Sequence, residues 1–251
     1  MLVAGEGSRL RPYTLDRPKC LVEVDGKSLL DRQLAVLSTA SIEPIVLIGG
    51  YRSEMLVRPG TQLRINPRFA ETNMVWTLFS AEDELDGDVL ICYGDIVYSK
   101  DVLKSILQCN ADIAVTIDLE WEPYWRARNE DPLADAETLK LRPDGRIIEI
   151  GQKPKSLQDM EGQYMGLIKL SSRGADVIKQ VFHESRIKGD IRGKPVEKAY
   201  MTDLLQTVID SGFDIQSVPV RGGWVEVDTV SDLQSVVTKS RLLEIDSGLS
   251  R

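Results

Sequence analysis

The stretch VAGEGSRLRPYTLDRPKCLVEVDGKSLL, residues 3–30, decides how the rest of the chain is read. A short apolar run ends at Ala4. Gly5 and Gly7 follow at once, then Arg9 and Arg11, and then Lys19 behind a proline that stiffens its approach. Glycine reaches backbone angles that bring N–H groups close to phosphate oxygens. Arginine forks onto such oxygens, and lysine adds a compact point charge. The glycine turn alone is equally compatible with a plain loop. It lacks the third glycine of a dinucleotide fingerprint and the Gly-Lys-Ser/Thr ending of a P-loop. A solvated basic surface accounts for the cations, but not for their place directly after a glycine turn out of a buried strand. The combination points to a gripped nucleoside triphosphate.

Outward from this stretch, strands and helices alternate. A strand ends at 1–4, and apolar spacing predicts a helix over 27–38. The run PIVLIGG (44–50) is a buried strand closed by glycines, and QLRINP is another short one. A helix is predicted over 73–85, with Thr72 or Asn73 as its N-cap. DVLICYGD (88–95) is a central strand running into a Gly-Asp turn. KDVLKSILQ is a helix and ADIAVTIDLE a strand. A hairpin is expected around Pro143-Asp144-Gly145, followed by the strand YMGLIKLS. Helices are expected over 173–184 and 201–211, then the strand FDIQSVPV, the turn RGGWVEVDT and a final helix over 230–245 starting near Thr229 and Ser231. This alternation predicts a three-layer α/β/α, Rossmann-like fold with a mixed, mostly parallel central sheet. Ligands of such sheets bind outside the carboxyl ends of the strands. No repeat or linker interrupts the chain, so residues 1–251 are expected to form a single domain. Residues 121–163 are expected to make a small β-rich excursion over the site.

Composition narrows the function. No apolar run approaches the length of a membrane span, and the broken N-terminal apolar stretch is no signal peptide. A soluble cytoplasmic protein is expected. The net charge of −8 argues against a nucleic-acid backbone binder, which would be basic over a wide face. It suits a small anionic ligand held by local cations. Cys20, Cys92 and Cys109 are far apart and have no histidine near them, so reduced thiols are expected rather than zinc. The single histidine, His183, lies in an amphipathic stretch and reads as structural. Triad hydrolysis on a histidine base is therefore not expected.

The opening stretch resembles the signature G-x-G-[ST]-R-L-x-P-x-T…P-K-x-L-[VL] of the nucleotidyltransferases that activate sugar phosphates and phosphocholine. Gly5, Gly7, Ser8, Arg9, Leu10, Pro12, Thr14, Pro18, Lys19, Leu21 and Val22 all match. GKSLLDRQLAVL resembles the family's next segment, with Ser28 where proline is usual. The first strand is shorter than is general in the family, which predicts a less firmly anchored first strand. CYGDIVY resembles the strand-end Gly-Asp that carries a metal-binding aspartate, here Asp95. GGWVEVDTVSDL resembles the late stretch whose aspartate completes the metal site, here Asp228. Taken singly, Asp95 reads as a turn residue and Asp228 as a helix cap.

The resemblance implies that an acceptor phosphate oxygen attacks the α-phosphorus of an NTP and pyrophosphate leaves. It assigns Arg9 to the leaving phosphates, Lys19 to the α-phosphate, and Asp95 and Asp228 to Mg²⁺. Backbone N–H groups of Ala4, Gly5, Glu6 and Gly7, with Ser8 beside them, contact the base or the phosphates. RFAETNMVWTLFSA resembles a helix of the phosphocholine-cytidylyltransferase-like branch, which favours CTP. Asn73 there either reads the base edge or only caps the helix. Trp121, Tyr124 and Trp125 beside Glu120 and Glu122 suit an ammonium group by cation–π contact, or else simply pack a flap. EIGQKPKSLQDMEGQYMGLIKL resembles the acceptor strand. Lys153 or the pair Arg126 and Arg128 would then hold the acceptor phosphate, with Tyr164 on the strand. Phosphocholine, phosphoethanolamine, a phosphorylated amino acid or an aminophosphonate is the implied acceptor class. A homodimer is compatible with the resemblance. The rival readings are a sugar-1-phosphate nucleotidylyltransferase using dTTP, UTP or GTP, a non-catalytic nucleotide-binding regulatory subunit, and a Rossmann-type binding module.

Overall fold

The computed structural model describes residues 1–249. They divide into two compact units. The first takes Met1–Ala70, Cys92–Ser105 and residues 223–249; the second takes Glu71–Ile91 and Ile106–Gly222.

The first unit is built on a parallel sheet in which Ile45–Gly49 lies between Leu2–Val3 and Thr61–Ile65. The buried run of Ile45–Gly49 forms the centre of this sheet because both of its edges are paired. The predicted helix over 27–38 begins two residues later, at Leu29–Ser38. Lys27–Ser28 instead pairs antiparallel with Glu23–Val24. Asp25 and Gly26 both have positive φ, 50° and 74°, as a two-residue hairpin turn of this sequence requires. Ser28 then caps the helix, its Oγ accepting from Asp31 N at 3.0 Å. One face of the helix is buried through Leu29, Leu30, Gln33, Val36 and Leu37.

The segment expected to be a turn after residue 221 contains a strand, Trp224–Glu226, paired antiparallel with Ile96–Tyr98. The single helix expected over 230–245 is two helices, Val230–Gln234 and Val236–Leu249. Ser235 breaks it: ψ there is 134°, and its Oγ accepts from Val237 N at 3.2 Å. Local side-chain acceptors of this kind compete with helical backbone bonding. Leu10, Val22, Leu29, Val97, Val225, Val227, Leu242 and Ile245 gather in one buried cluster. The buried guanidinium of Arg32 ties the last helix in, through Asp246 at 2.9 Å and the carbonyl of Val24 at 2.8 Å.

The second unit holds a mixed sheet in the order Gln216–Val220, Ile113–Asp118, Gln163–Leu170, Val89–Cys92. Its first two strands are parallel, and the next is antiparallel to Ile113–Asp118. The expected hairpin is present as Leu139–Leu141 and Ile147–Ile150. The helix predicted over 73–85 is only Met74–Phe79, followed by a single 3₁₀ turn at Glu82–Glu84. Ser80 Oγ bonds back to the carbonyl of Trp76 at 2.9 Å, at the point where the helix stops. An extra helix, Trp121–Arg128, opens the excursion and carries its proline in the first turn, where no N–H is missed. Among the described residues, no helix is long and apolar enough to cross a membrane.

Candidate active site

All four of the charged residues assigned to triphosphate and metal lie in the first unit. Leu2–Val3 delivers the glycine loop at its carboxyl end. Gly7 has φ 69° and ψ 48°, the left-handed region where glycine carries no penalty. The carbonyls of the loop are turned onto the protein: Ala4 O accepts from Tyr51 N, Gly5 O from Lys19 N, and Gly7 O from Leu10 N at 2.9 Å and Thr14 Oγ1 at 2.8 Å. Among the described residues, the N–H groups of Gly5, Glu6, Gly7 and Ser8 have no protein acceptor. Successive free N–H groups in a glycine turn make a concavity suited to anions. Glu6 pairs with Arg11 beside it.

Lys19 opens a 3₁₀ turn behind Pro18 and is largely buried, its side chain 13% exposed. Its Nζ donates to Asp95 Oδ2 at 2.8 Å and to Asp228 Oδ1. The other oxygen of Asp228 pairs with Arg9, whose side chain is 59% exposed and reaches in from solvent. Burial alone pulls an ammonium's pKa down. Here the charges of Asp95 and Asp228 outweigh it and hold Lys19 above the ordinary lysine value.

Strand pairing brings the two aspartates together. Ile96–Tyr98 pairs with Trp224–Glu226 in a register that sets Ile96 opposite Glu226. Asp95 and Asp228 flank that ladder, and Val227 N donates to Asp95 O at 2.9 Å. Gly94 is required just before, because a Cβ there would stand 2.9 Å from the carbonyl oxygen of Leu2. Asp232, which the sequence reading did not single out, steadies Asp228. Its Oδ2 accepts from Asp228 N at 3.0 Å and Thr229 N at 2.9 Å, while Thr229 Oγ1 accepts from Asp232 N. The signal was available as the capping-box spacing Thr229-x-x-Asp232.

The pair could hold a hard divalent cation. Asp95 Oδ1 is buried and has no hydrogen-bond partner, a costly condition for a carboxylate oxygen. Among the described residues no three His, Cys, Asp or Glu side chains gather to hold a metal. An ion here would complete its shell with water and ligand oxygens, as Mg²⁺ does at phosphate sites.

The remaining predicted residues lie in the second unit. Asn73 heads Met74–Phe79 without capping it; its Nδ2 donates to Lys198 O at 2.7 Å. Trp121, Tyr124 and Trp125 are buried. Arg128 lies over the rings of Trp125 and Tyr124, at 4.8 Å and 5.4 Å. Arg126 pairs with Glu122 one turn earlier, at 2.7 Å. Lys153 Nζ braces the carbonyls of Leu133 and Ala134, at 2.5 and 2.8 Å. Tyr164 sits on Gln163–Leu170, its carbonyl taking the side-chain amide of Gln163. His183 joins Glu82 at 2.5 Å on the surface. The three cysteines are free thiols, Cys20 and Cys92 buried.

A glycine loop with free N–H groups, cations behind it and a carboxylate pair at the ends of neighbouring strands suit a triphosphate ligand. The chain belongs to the MobA-like NTP transferase domain family, which it matches over residues 1–165. It is 37% identical over 253 aligned residues to a CTP:phosphoglutamine cytidylyltransferase of Campylobacter jejuni, covering 95% of this chain and 98% of that protein. Its fold is shared with the CTP:phosphocholine cytidylyltransferase of Streptococcus pneumoniae, with a TM-score of 0.70 at 20% identity over 96% of each chain. It is also shared with the inositol-1-phosphate CTP transferase of T. maritima, with a TM-score of 0.75 at 21% identity over 100% of this chain and 94% of that one.

Proposed function

We propose that the chain transfers CMP from CTP to a small phosphorylated amino acid, phosphoglutamine foremost, and releases pyrophosphate. The observation that carries this reading is the nearly end-to-end likeness to the phosphoglutamine enzyme, at 37% identity. It is supported by the Arg9, Lys19, Asp95 and Asp228 cluster behind the loop.

The chemistry follows from charge. An acceptor phosphate is largely dianionic near neutrality, its second pKa being about 6, so the nucleophile needs no general base. The obstacles are repulsion between anions and charge building on the leaving pyrophosphate, and cations placed in advance address both. The free N–H groups of residues 5–8 and the guanidinium of Arg9 receive the β- and γ-phosphates. Lys19 takes the α-phosphate, where the new bond forms. Asp95 and Asp228 would hold Mg²⁺, which would supply neutralisation of the triphosphate's charge. For the acceptor's phosphate the candidates are Lys153 or the pair Arg126 and Arg128, all in the second unit, where Arg128 stacks on Tyr124 and Trp125.

Pyrophosphate release from purified protein tests the reading. CTP, UTP, dTTP and GTP are each combined with phosphoglutamine, phosphocholine, phosphoethanolamine, inositol-1-phosphate and glucose-1-phosphate. The expected best pair is CTP with phosphoglutamine, with release requiring added Mg²⁺. A sugar phosphate outperforming every amino phosphate overturns the acceptor class. No release with any pair leaves a nucleotide-binding protein without catalysis.

A further inference from the structure

We infer that Lys19 competes with the divalent ion for the carboxylate pair, so that the ion enters together with the triphosphate rather than ahead of it. The inference rests on the proposed nucleotidyl transfer and deepens it.

Three of the four carboxylate oxygens of Asp95 and Asp228 are already engaged by cations. Lys19 Nζ bridges Asp95 Oδ2 and Asp228 Oδ1, and Arg9 holds Asp228 Oδ2. Only the buried Asp95 Oδ1 is unpartnered. Two carboxylates facing two cations form a neutral cluster, which has little attraction for a bare ion. An ion bridging both carboxylates would sit about 2.1 Å from their oxygens, in the space that the ammonium fills. The stem of Lys19 is held in place. Its Cβ and Cγ pack under Gly7, 2.9 and 3.2 Å from where a Cβ on that residue would lie, and its backbone N–H is bonded to Gly5 O.

A triphosphate changes the balance because it brings anions of its own. The phosphates offer Lys19 and Arg9 new partners and release the carboxylates to the ion. Lys19 is then a phosphate ligand in one state and a stand-in for the ion in the other. The two roles share one side chain because the loop fixes its stem while its four-carbon chain leaves the head mobile.

Mn²⁺ binding without nucleotide, read from the electron paramagnetic resonance signal of the free ion, tests this without turnover. Wild type is expected to bind Mn²⁺ weakly. Lys19→Met should bind one Mn²⁺ about tenfold or more tightly, since the unit charge that occupies the ion's place is gone. Adding Asp95→Asn to Lys19→Met should abolish the gain. A Lys19→Met affinity no better than wild type, or a gain that survives Asp95→Asn, overturns the inference. A second measurement uses folded wild type alone. The ammonium resonance of Lys19 in ¹⁵N-labelled protein should be unmoved by Mg²⁺ and shifted by Mg²⁺ with CTP; a shift with Mg²⁺ alone overturns the inference. Wild type that releases pyrophosphate while either test fails removes only the competition. Absence of release with every acceptor removes the transferase reading, whatever Mn²⁺ does.

Discussion

Gly7 carries two constraints at once. Its backbone is left-handed, and its missing side chain leaves room for the stem of Lys19. Gly7→Ala should cost about 1–3 kcal/mol through the left-handed backbone, and it should push Lys19 out of line. Urea unfolding and pyrophosphate release together check both effects, and an enzyme of unchanged stability and rate would show that the loop tolerates a Cβ. Lys19 and Asp228 carry charge rather than packing. Lys19→Ala and Asp228→Ala should keep the wild-type circular dichroism spectrum and lose about 10²-fold or more in kcat, the scale of removing one charge-stabilising group. Unchanged rates would remove the proposed mechanism.

Caps decide where elements begin and, in one case, where a site residue points. Asp232 closes the capping box of Val230–Gln234 and also accepts the N–H of Asp228. Asp232→Ala is expected to cost about 1–2 kcal/mol, as lost caps do. It should also lower kcat more than it raises KM, because Asp228 loses its support. Ser28 caps Leu29–Ser38 through Asp31 and bonds to none of the four site residues. Ser28→Ala should cost about 1 kcal/mol and leave saturated turnover near wild type. A matching rate defect there would mean that the helix, and not its cap, governs the loop. These elements also show how far local pattern reaches. The hairpin at Asp25-Gly26 carries an Asp-Gly turn signal, and its second strand, Lys27–Ser28, takes the first two positions of the predicted helix. Ser235 looks harmless in a helical run, and only its side-chain bond to Val237 explains the break.

At the scale of the molecule, stability should respond to alkali through buried thiols. Burial pushes the Cys20 thiol up to about 12, partly opposed by Arg58, and burial raises Cys92 as well. A raised folded-state pKa means that the native chain keeps its proton after the unfolded chain has lost it. That stability is complete below the unfolded value of about 8.5 and is lost as pH rises toward 12, at about 1.4 kcal/mol per pH unit for each such thiol. Urea midpoints should therefore fall above about pH 8.5, and Cys20→Ala should make the fall shallower. An identical slope in that variant would assign the loss to other groups.

The sequence by itself determined the chemistry of the loop, because Gly5, Gly7, Arg9 and Lys19 are close along the chain and their types alone imply an anion. Its alternating apolar runs also determined the α/β character. The partners of Lys19 are another matter: Asp95 is 76 positions away and Asp228 is 209. In isolation each reads as a turn or a cap, and the family resemblance alone pointed to both. Only the tertiary structure set them around one ammonium. The strand Trp224–Glu226 had to pair with Ile96–Tyr98 for the two carboxylates to converge, and hydrogen bonds between distant strands leave no local pattern in the chain. The same holds for Tyr124 and Trp125, whose aromatic character was visible but whose burial beneath Arg128 came from packing.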